Sequence, residues 1–463
     1  MSQTVQVTNP ATGEVIREIT LQIEEEIITA IESAEKAFHR YKETDAYERA
    51  DLLKNWHKKI VARKQEVAET ITLENGKPLR EAIAEVDSAL SYIEWYAEEA
   101  KRVYGRSIPA SSRDKRILVS KSPIGPVAAI TPWNFPGSMM VRKAAPALAV
   151  GCSFIVKPAL EAPLTTMLLV ELAHEAGFPK DVIQCVNTRG SVAGEVFSNH
   201  KAIRKITFTG STEVGKHLIR KSADTVKSIT MELGGHAPVI VCADADLDFA
   251  VEQTIMTKFR NAGQTCICAN RVFVHESIME SFAEKLAKRA NDLVVGNGLE
   301  ETTDVGPVIN QDSYEKINKQ IEDAVSKGAT VLTKELEESY PEGTYFIPPT
   351  VLKDVTTDML VMKEETFGPV APLTSFSTVE EAVNMANDTN YGLAAYFFTR
   401  DYQQAIYLHD HLDYGIIGWN DGAPTVAQAP FGGMKESGLG REGGIEGIEA
   451  YLETKYMSIG NVT

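Results

Sequence analysis

The spacing of apolar residues divides the first quarter of the chain into regions of different secondary structure. In residues 6–19, two runs rich in strand-forming residues stand on either side of the turn-forming sequence Asn-Pro-Ala-Thr-Gly, which predicts a short hairpin. Apolar residues then recur at spacings of three and four over residues 24–103, which predicts helices with one buried face. Gly76-Lys77-Pro78 should interrupt this helical region, and residues 117–119 have the pattern of a strand.

From residue 127 onward, short apolar runs alternate with helical patterns, first to residue 222 and again from residue 238 to residue 398. Continuous apolar strands that are separated by helices are typical of parallel sheets covered on both faces. The pattern therefore predicts an α/β fold.

Composition and charge narrow the class of protein. Of the 463 residues 43% are apolar and 24% are charged, so a core can form without disulfides or structural metals. Asp and Glu outnumber Lys and Arg by 64 to 47, which argues against a nucleic-acid-binding or polybasic membrane-surface protein. The five cysteines are odd in number and form no disulfide framework, and no targeting or spanning segment is recognisable. We therefore expect a cytoplasmic protein.

Three polar side chains stand where chemistry could occur. Cys266 lies in a loop of small and polar residues, where an accessible thiolate can act as a nucleophile; the alternative is a buried cysteine that packs as a small apolar residue. Glu232 ends an apolar strand, so burial would raise its pKa and suit it to general-base work, unless it pairs with a lysine. Asn134, between two prolines, could donate a hydrogen bond to an oxyanion or form an Asx turn.

Two further segments could bind anions. Gly-Ser-Thr-Glu-Val-Gly at residues 210–215 follows a strand and opens a helix, where free N–H groups can hold a phosphate; an ordinary βα turn is the alternative. Lys157, which follows the strand pattern of residues 153–156, could reach a ribose or phosphate oxygen or be a solvated surface lysine. No metal-site spacing, nucleophile elbow or P-loop sequence is present.

Seven segments in order resemble those of the NAD(P)-dependent aldehyde dehydrogenase superfamily, over nearly the whole chain. They are Thr131-Pro132-Trp133-Asn134-Phe135-Pro136, Lys157-Pro158-Ala159, Phe208-Thr209-Gly210-Ser211, Met231-Glu232-Leu233-Gly234-Gly235, Gly263-Gln264-Thr265-Cys266, Glu364-Glu365-Thr366-Phe367-Gly368-Pro369 and Pro430-Phe431-Gly432-Gly433. The resemblance implies two doubly wound Rossmann-type α/β domains with a small β extension for oligomerisation.

The resemblance also implies where these parts lie. They are a cofactor-binding domain at residues 1–104 and 124–234 with 435–451, a catalytic domain at 235–434, and oligomerisation strands at 105–123 and 452–463. The expected assembly is a homodimer or homotetramer that acts on a small-molecule aldehyde, with no nucleic-acid or membrane partner.

The matched side chains have implied roles. Cys266 would attack the aldehyde carbon, Asn134 and the Cys266 backbone N–H would hold the oxyanion, and Glu232 would activate the water that hydrolyses the thioester. Lys157 would bind the adenosine ribose, Gly210 and Ser211 the pyrophosphate. The full set implied at the cofactor is Thr131, Pro132, Trp133, Asn134, Lys157, Pro158, Ala159, Leu160, Gly210, Ser211, Leu233, Glu365 and Phe367.

Leu160 bears on the choice of cofactor. Relatives that prefer NAD usually carry a glutamate three residues after the lysine, and here that residue is Leu160. Because no carboxylate at that position repels a 2′-phosphate, we expect NADP to be accepted and NAD to remain usable. Which of the two is preferred stays open.

Within the superfamily the chain most resembles succinate-semialdehyde dehydrogenases, which typically carry the second cysteine found here as Cys268. Arg142 and Arg260 match the arginines that hold the far carboxylate of the substrate, and Thr425 stands where serine is common. The resemblance thus implies oxidation of succinate semialdehyde to succinate, as in γ-aminobutyrate degradation. Each arginine could instead form a structural ion pair.

Several alternatives remain open from the sequence. The substrate could be another aldehyde, such as glutarate semialdehyde or an amino-aldehyde. In other classes, the chain could be a thiol-redox protein or a non-catalytic binding protein. Cys266 and Cys268 could also form a reversible disulfide that silences the nucleophile.

Overall fold

The computed structural model describes residues 3–336 and 340–461, which form 18 strands and 15 α-helices. The ends of the predicted domain ranges, residues 1–2 and 462–463, lie outside the described residues, as do residues 337–339 of the predicted catalytic domain. The domain boundaries stay a prediction.

The first half of the chain contains a hairpin, four consecutive helices and a βα series. Its elements are β1 (Thr4–Thr8), β2 (Val15–Thr20), α1 (Glu24–Tyr41), α2 (Ala46–Ala62), α3 (Lys64–Asn75), α4 (Leu79–Glu99), β3 (Arg106–Ile108), β4 (Arg116–Pro123), β5 (Val127–Ile130), α5 (Pro136–Val150), β6 (Phe154–Lys157), α6 (Leu164–Glu175), β7 (Ile183–Cys185), α7 (Gly190–Asn199), β8 (Lys205–Thr209), α8 (Thr212–Ser222) and β9 (Ser228–Glu232).

The second half repeats the alternation and ends in a long strand. Its elements are β10 (Ala237–Val241), α9 (Leu247–Phe259), β11 (Ala269–His275), α10 (Met279–Asn291), α11 (Gln311–Ser326), β12 (Thr330–Val331), β13 (Thr350–Lys353), α12 (Leu360–Lys363), β14 (Val370–Phe376), α13 (Val379–Asn387), β15 (Ala394–Phe398), α14 (Tyr402–His411), β16 (Ile416–Trp419), β17 (Gly438–Leu439), α15 (Gly444–Glu449) and β18 (Leu452–Ile459).

Two largely parallel sheets form the body of the molecule, so the predicted α/β fold is confirmed. One has the strand order β17-β9-β8-β5-β6-β7, and the other has the order β12-β13-β14-β11-β10-β15-β16. Strands such as β5, β8 and β10 are buried along their whole length because helices cover both faces. The predicted N-terminal hairpin and helices are also present.

A further, antiparallel sheet has the strand order β18-β4-β3. Most residues of β18 are exposed, including Tyr456 and Met457, and Leu118 of β4 is also exposed. None of the helices in residues 3–336 and 340–461 combines the length and apolar character needed to cross a membrane.

Loops that carry the candidate site residues leave the carboxyl ends of the first parallel sheet. Residues 131–135 follow β5, Lys157 ends β6, and Gly210 and Ser211 follow β8. Because parallel strands end at the same edge, the topology alone brings these distant residues together.

The predicted break at Gly76-Lys77-Pro78 is a turn that packs tightly on residues 296–309. Gly76 adopts a φ of 90°, which ends α3, and the Leu79 N–H donates to the Gly298 carbonyl at 2.8 Å. A Cβ added at Gly306 would lie 2.1 Å from the Gly76 carbonyl oxygen. The close approach of these two backbones therefore requires glycine at position 306.

We predict that Gly306→Ala destabilises the protein, because the added methyl group meets backbone that no rotamer change can move. The expected loss is about 2 kcal/mol or more, seen as a lower midpoint in thermal denaturation. Gly460→Ala is the matched control, since a Cβ there meets no heavy atom within 4 Å. Equal midpoints for the two variants would contradict the packing described here.

Candidate active site

Cys266 lies at the junction of two cavities. The arginine cavity is lined by Cys266 and by Arg80, Glu81, Ala84, Glu85, Ser88, Phe135, Ser138, Met139, Arg142, Arg260, Thr265, Ile267, Ala423, Thr425 and Phe431. The strand-end cavity opens at the edge of the first parallel sheet. It is lined by Cys266 and by Pro132, Trp133, Asn134, Thr209, Gly210, Ser211, Leu233, Gly234, Ser313, Lys316, Glu365, Thr366 and Phe367.

A left-handed stretch of backbone presents Cys266 to both cavities. Asn261, Ala262 and Gly263 have φ angles of 52°, 52° and 73°, which turn the chain sharply after α9. Asparagine and glycine adopt this region readily, whereas alanine does so at a cost. Cys266 is partly exposed, so the alternative of a fully buried cysteine is not what the structure shows.

The surroundings of the Cys266 thiol favour its protonated form. Loss of hydration raises the pKa of the Cys266 thiol to about 12. The positive charge of Arg142 opposes this shift, whereas the charges of Glu232 and Glu365 add to it.

Asn134 is buried and is tied to the loop that carries Cys266. Its side-chain Nδ2 donates to the Gln264 carbonyl at 3.0 Å, a hydrogen bond to a distant loop rather than the local contact of an Asx turn. An amide nitrogen has two hydrogens, so one remains for an oxygen in the strand-end cavity.

Glu232 is buried at the end of β9 and lines neither cavity. Its side chain is 1% exposed, and no described residue donates a hydrogen bond to either carboxylate oxygen. The ion pair with a lysine, considered from the sequence, is therefore not formed. Burial and the nearby charge of Glu442 raise the pKa of Glu232 well above its usual range, although Arg142 and Lys143 oppose that shift.

Arg142 forms an ion pair and also faces the arginine cavity. Its Nε donates to Glu442 Oε2 at 2.8 Å, and Lys143 pairs with the other oxygen of the same carboxylate. Nη2 of Arg142 is buried without a hydrogen-bond partner among the described residues, and the guanidinium lies 4.0 Å from the centre of the Phe431 ring. Glu442 was not predicted as a site residue, because its loop has no motif that marks an acidic partner of Arg142.

Arg260 and Thr425 line the same cavity. Arg260 is exposed, and its guanidinium lies 5.4 Å from the centre of the Phe135 ring. Thr425 Oγ1 is buried and has no hydrogen-bond partner among the described residues. Arg80, which the sequence analysis did not single out, also lines the cavity but pairs with Asp304 at 2.5 Å.

In the strand-end cavity a carboxylate and two aromatic rings stand close together. Glu365 accepts a hydrogen bond from the Gly235 N–H at 2.9 Å, and loss of hydration raises the pKa of its carboxyl to about 7. The rings of Trp133 and Phe367 meet edge to face at 5.6 Å between centroids. Ser211 caps α8 through its hydroxyl, which accepts the Val214 N–H at 3.4 Å.

Five residues implied at the cofactor, Thr131 and residues 157–160, are described but do not line this cavity. Lys157 is 6% exposed, so the alternative of a solvated surface lysine is wrong, and burial lowers the pKa of its ammonium. Leu160 is partly exposed. Residues 157–160 lie at or just after the end of β6, the strand next to β5 in the same sheet, and Thr131 follows β5.

Cys268 is buried against a lysine rather than exposed beside Cys266. The ammonium of Lys258 donates to Cys268 Sγ at 3.1 Å and to Asn270 Oδ1 at 3.2 Å. A disulfide with Cys266 stays a prediction. Across the described ranges no three His, Cys, Asp or Glu side chains group in a way that could hold a metal ion.

Comparison with known proteins decides the family. The model of the aldehyde dehydrogenase family matches residues 1–457. The chain belongs to this family. The sequence-based prediction of an NAD(P)-dependent aldehyde dehydrogenase is thereby confirmed, as is that of two Rossmann-type α/β units.

This aldehyde dehydrogenase is similar to enzymes named for different acidic aldehydes. It is 48% identical to a 3-sulfolactaldehyde dehydrogenase of Pseudomonas putida over 99% of this chain and 94% of the relative. It is 49% identical to a glutarate-semialdehyde dehydrogenase of a Pseudomonas putida strain over 99% and 94%. It is 45% identical to an Escherichia coli succinate-semialdehyde dehydrogenase named for NADP(+), over 99% and 95%.

Among solved structures, betaine aldehyde dehydrogenase of Staphylococcus aureus in complex with NAD+ has the same fold. It superimposes with a TM-score of 0.96 at 36% identity, over 100% of this chain and 92% of that one.

We predict that alkylation of Cys266 in the ligand-free enzyme accelerates about tenfold per pH unit between pH 7 and pH 9, because only the thiolate reacts. The measurement is the second-order rate constant with iodoacetamide, with Cys266→Ser giving the background from the other four cysteines. A plateau that begins below pH 8 would show that the thiol ionises far more readily than its surroundings indicate.

Proposed function

We propose that this enzyme oxidises succinate semialdehyde, or an aldehyde of similar length with an anionic far end, to the acid with NADP or NAD. The observation that supports the proposal is the position of Cys266, which opens at once onto a cavity with arginines and onto the edge of a parallel sheet. A dehydrogenase that works through a thiol needs both directions of access.

In the proposed reaction, Cys266 attacks the aldehyde carbon as a thiolate. The oxygen of the resulting thiohemiacetal becomes an oxyanion, and the free N–H of Asn134 and the Cys266 backbone N–H donate to it. Hydride loss from the same carbon then leaves a thioester on Cys266. Stabilisation of the oxyanion is strong here because Asn134 is buried and already held in place.

The second half of the reaction needs a base for water. Burial raises the pKa of Glu232, so its carboxylate can take up a proton from a water that attacks the thioester, and the nearby charges of Arg142 and Lys143 favour the ionised form that a base needs. Its oxygens have no fixed partner among the described residues, so the side chain can turn towards Cys266. Hydrolysis then releases succinate and regenerates the free thiol of Cys266.

The residues of the strand-end cavity fit a nicotinamide dinucleotide. Glu365 supplies an acceptor for ribose hydroxyls, and Trp133 and Phe367 supply aromatic surface. Gly210 and Ser211 stand at the N-terminus of α8, where the helix dipole favours a phosphate. When bound there, the nicotinamide supplies the hydride acceptor. We propose that Lys157, Pro158, Ala159 and Leu160 hold the adenosine end.

The preference for an acidic aldehyde rests on Arg142 and Arg260. The unpartnered Nη2 of Arg142 and the exposed guanidinium of Arg260 line one cavity, and Thr425 Oγ1 offers a further donor. The names of the relatives include succinate, glutarate and sulfolactaldehyde, which all end in an anionic group. Glutarate semialdehyde is thus the second candidate substrate.

The exposed sheet β18-β4-β3 supports a proposal about assembly. Its strand edges and the exposed Tyr456, Met457 and Leu118 are surfaces that a second copy of the chain would cover. We propose a homodimer or homotetramer that uses this sheet.

We predict that Arg142→Ala and Arg260→Ala each lower kcat/KM for succinate semialdehyde about 30-fold or more, because a desolvated carboxylate loses its charged partner. For a neutral aldehyde of the same length the loss should stay within about threefold. Steady-state kinetics on succinate semialdehyde, glutarate semialdehyde and butyraldehyde would measure both effects. Arg80→Ala is the matched control, because Arg80 lines the same cavity but is already paired with Asp304. Equal losses on charged and neutral aldehydes would count against the acidic substrate.

We predict that Leu160→Glu lowers kcat/KM with NADP about tenfold or more while the value with NAD is retained or rises, because the carboxylate repels a 2′-phosphate and accepts from a ribose hydroxyl. Leu160→Gln, which has the same shape without the charge, is the control. If Glu and Gln reduce NADP use alike, charge at this position does not select the cofactor.

A further inference from the structure

The turn Gly76-Lys77-Pro78 places a buried lysine behind the candidate oxyanion-binding residue. We propose that Lys77, paired with Glu85, is a positioning device that fixes the backbone of Asn134 relative to Cys266. The inference rests on the proposed function only in assigning Asn134 to the oxyanion. Lys77 lines neither cavity, so its action must pass through Asn134.

Two of the three contacts of the Lys77 ammonium are with the segment that carries Asn134, and the third is with Glu85 of α4. Its Nζ donates to Glu85 Oε2 at 2.6 Å and to the Asn134 main-chain carbonyl at 2.7 Å, and it lies 3.8 Å from the centre of the Phe135 ring. The side chains of Lys77 and Glu85 are both fully buried. Hydrogen bonds that involve a buried charge are short and strong, so they restrict the segment more than neutral contacts would.

Glu85 extends this restraint to the beginning of α5. Its second carboxylate oxygen, Oε1, accepts the N–H groups of Gly137 and Ser138 at 2.8 and 3.2 Å. A carboxylate at a helix N-terminus is stabilised by the free N–H groups there. The ion pair therefore forms hydrogen bonds with the backbone on both sides of Phe135, at Asn134 and in the first turn of α5.

The loop that carries Cys266 also forms hydrogen bonds with Asn134. Asn261 Nδ2 donates to the Asn134 carbonyl at 2.9 Å, while Asn134 Nδ2 donates to the Gln264 carbonyl at 3.0 Å. Gln264 is itself fixed, because its Oε1 accepts the Ile309 N–H at 2.9 Å. The Asn134 carbonyl thus accepts hydrogen bonds from two different segments, and the Asn134 side-chain amide is held by a third hydrogen bond, to Gln264.

Stability alone gives no reason for this arrangement. A buried ion pair contributes little net stability, because the cost of removing both charges from water offsets their attraction. The reaction rate, by contrast, depends strongly on where an oxyanion donor is placed, because a displacement of about 1 Å can lower the rate about 100-fold. The contacts of Lys77 are those of a group that fixes position.

The test compares two reactions of the same thiol in the full-length enzyme. Acylation of Cys266 by p-nitrophenyl acetate passes through a tetrahedral oxyanion, whereas alkylation by iodoacetamide at the same pH does not. We expect Lys77→Met to slow acylation about tenfold or more, against about 100-fold for Asn134→Ala, and to leave alkylation within twofold. Neither reaction needs an aldehyde or a cofactor.

A double-mutant cycle separates positioning from a general structural effect. In the Asn134→Ala background, Lys77→Met should cause no further loss of acylation, because the residue that it positions is gone. Lys205→Met removes another buried lysine, which donates to Thr230 and not to this segment, and should leave both reactions unchanged. Cys266→Ser gives the background rate. The double variant Lys77→Met/Glu85→Gln, which leaves no unpaired buried charge, replaces Lys77→Met if that variant does not fold.

Unchanged acylation in both Lys77 variants would overturn the proposal. So would losses that multiply with Asn134→Ala, or a parallel loss of alkylation, since either result indicates a general disturbance of the site. If instead the proposed function is wrong, the wild-type enzyme should show the same kcat/KM for charged and neutral aldehydes, while the acylation rates of the Lys77 and Asn134 variants remain as expected here.

Discussion

One sulfur atom must face two cavities at once, and the rest of the site is arranged around that constraint. The three consecutive left-handed residues 261–263 turn the chain after α9, so that Cys266 stands between the arginine cavity and the strand-end cavity. Such a backbone is unfavourable unless its surroundings hold it. Here the Gly368 carbonyl leaves no room for a Cβ at position 263, and Glu81 accepts the Asn261 N–H.

Two groups of buried ion pairs lie close to the site. Lys77 with Glu85, and Arg142 and Lys143 with Glu442, place five ionisable side chains in the protein interior near the reacting thiol. Buried pairs of this kind are poor devices for stability, but they orient the groups that they contact. In each case a carboxylate holds a cation whose remaining donors are directed at the site: the Asn134 carbonyl for Lys77, and the arginine cavity for Arg142.

The sequence predicted the scaffold better than the inner contacts. Strand and helix periodicity was sufficient for an α/β fold with parallel strands, whereas the two domains were implied by the family resemblance. The common edge of the first parallel sheet explains why Asn134, Gly210 and Glu232, each at the end of a strand or just after it, lie near one another. Glu442 and Lys77 escaped notice as partners, because contacts between residues about 300 or 57 positions apart leave no local pattern. The burial of Lys157 could not be predicted from the sequence either. A lysine that follows a strand is usually solvated, whereas the Lys157 side chain is buried at the end of β6.

In the proposed reaction an acyl group passes through the sulfur of Cys266. Mass spectrometry of the Glu232→Gln enzyme, mixed with succinate semialdehyde and NADP, can detect this acyl group, because loss of the base should leave the thioester unhydrolysed. We expect a succinyl group on the peptide that contains Cys266, lighter by two hydrogens than the thiohemiacetal that forms without cofactor. Formation of NADPH with Cys266 unmodified at every time point would contradict it.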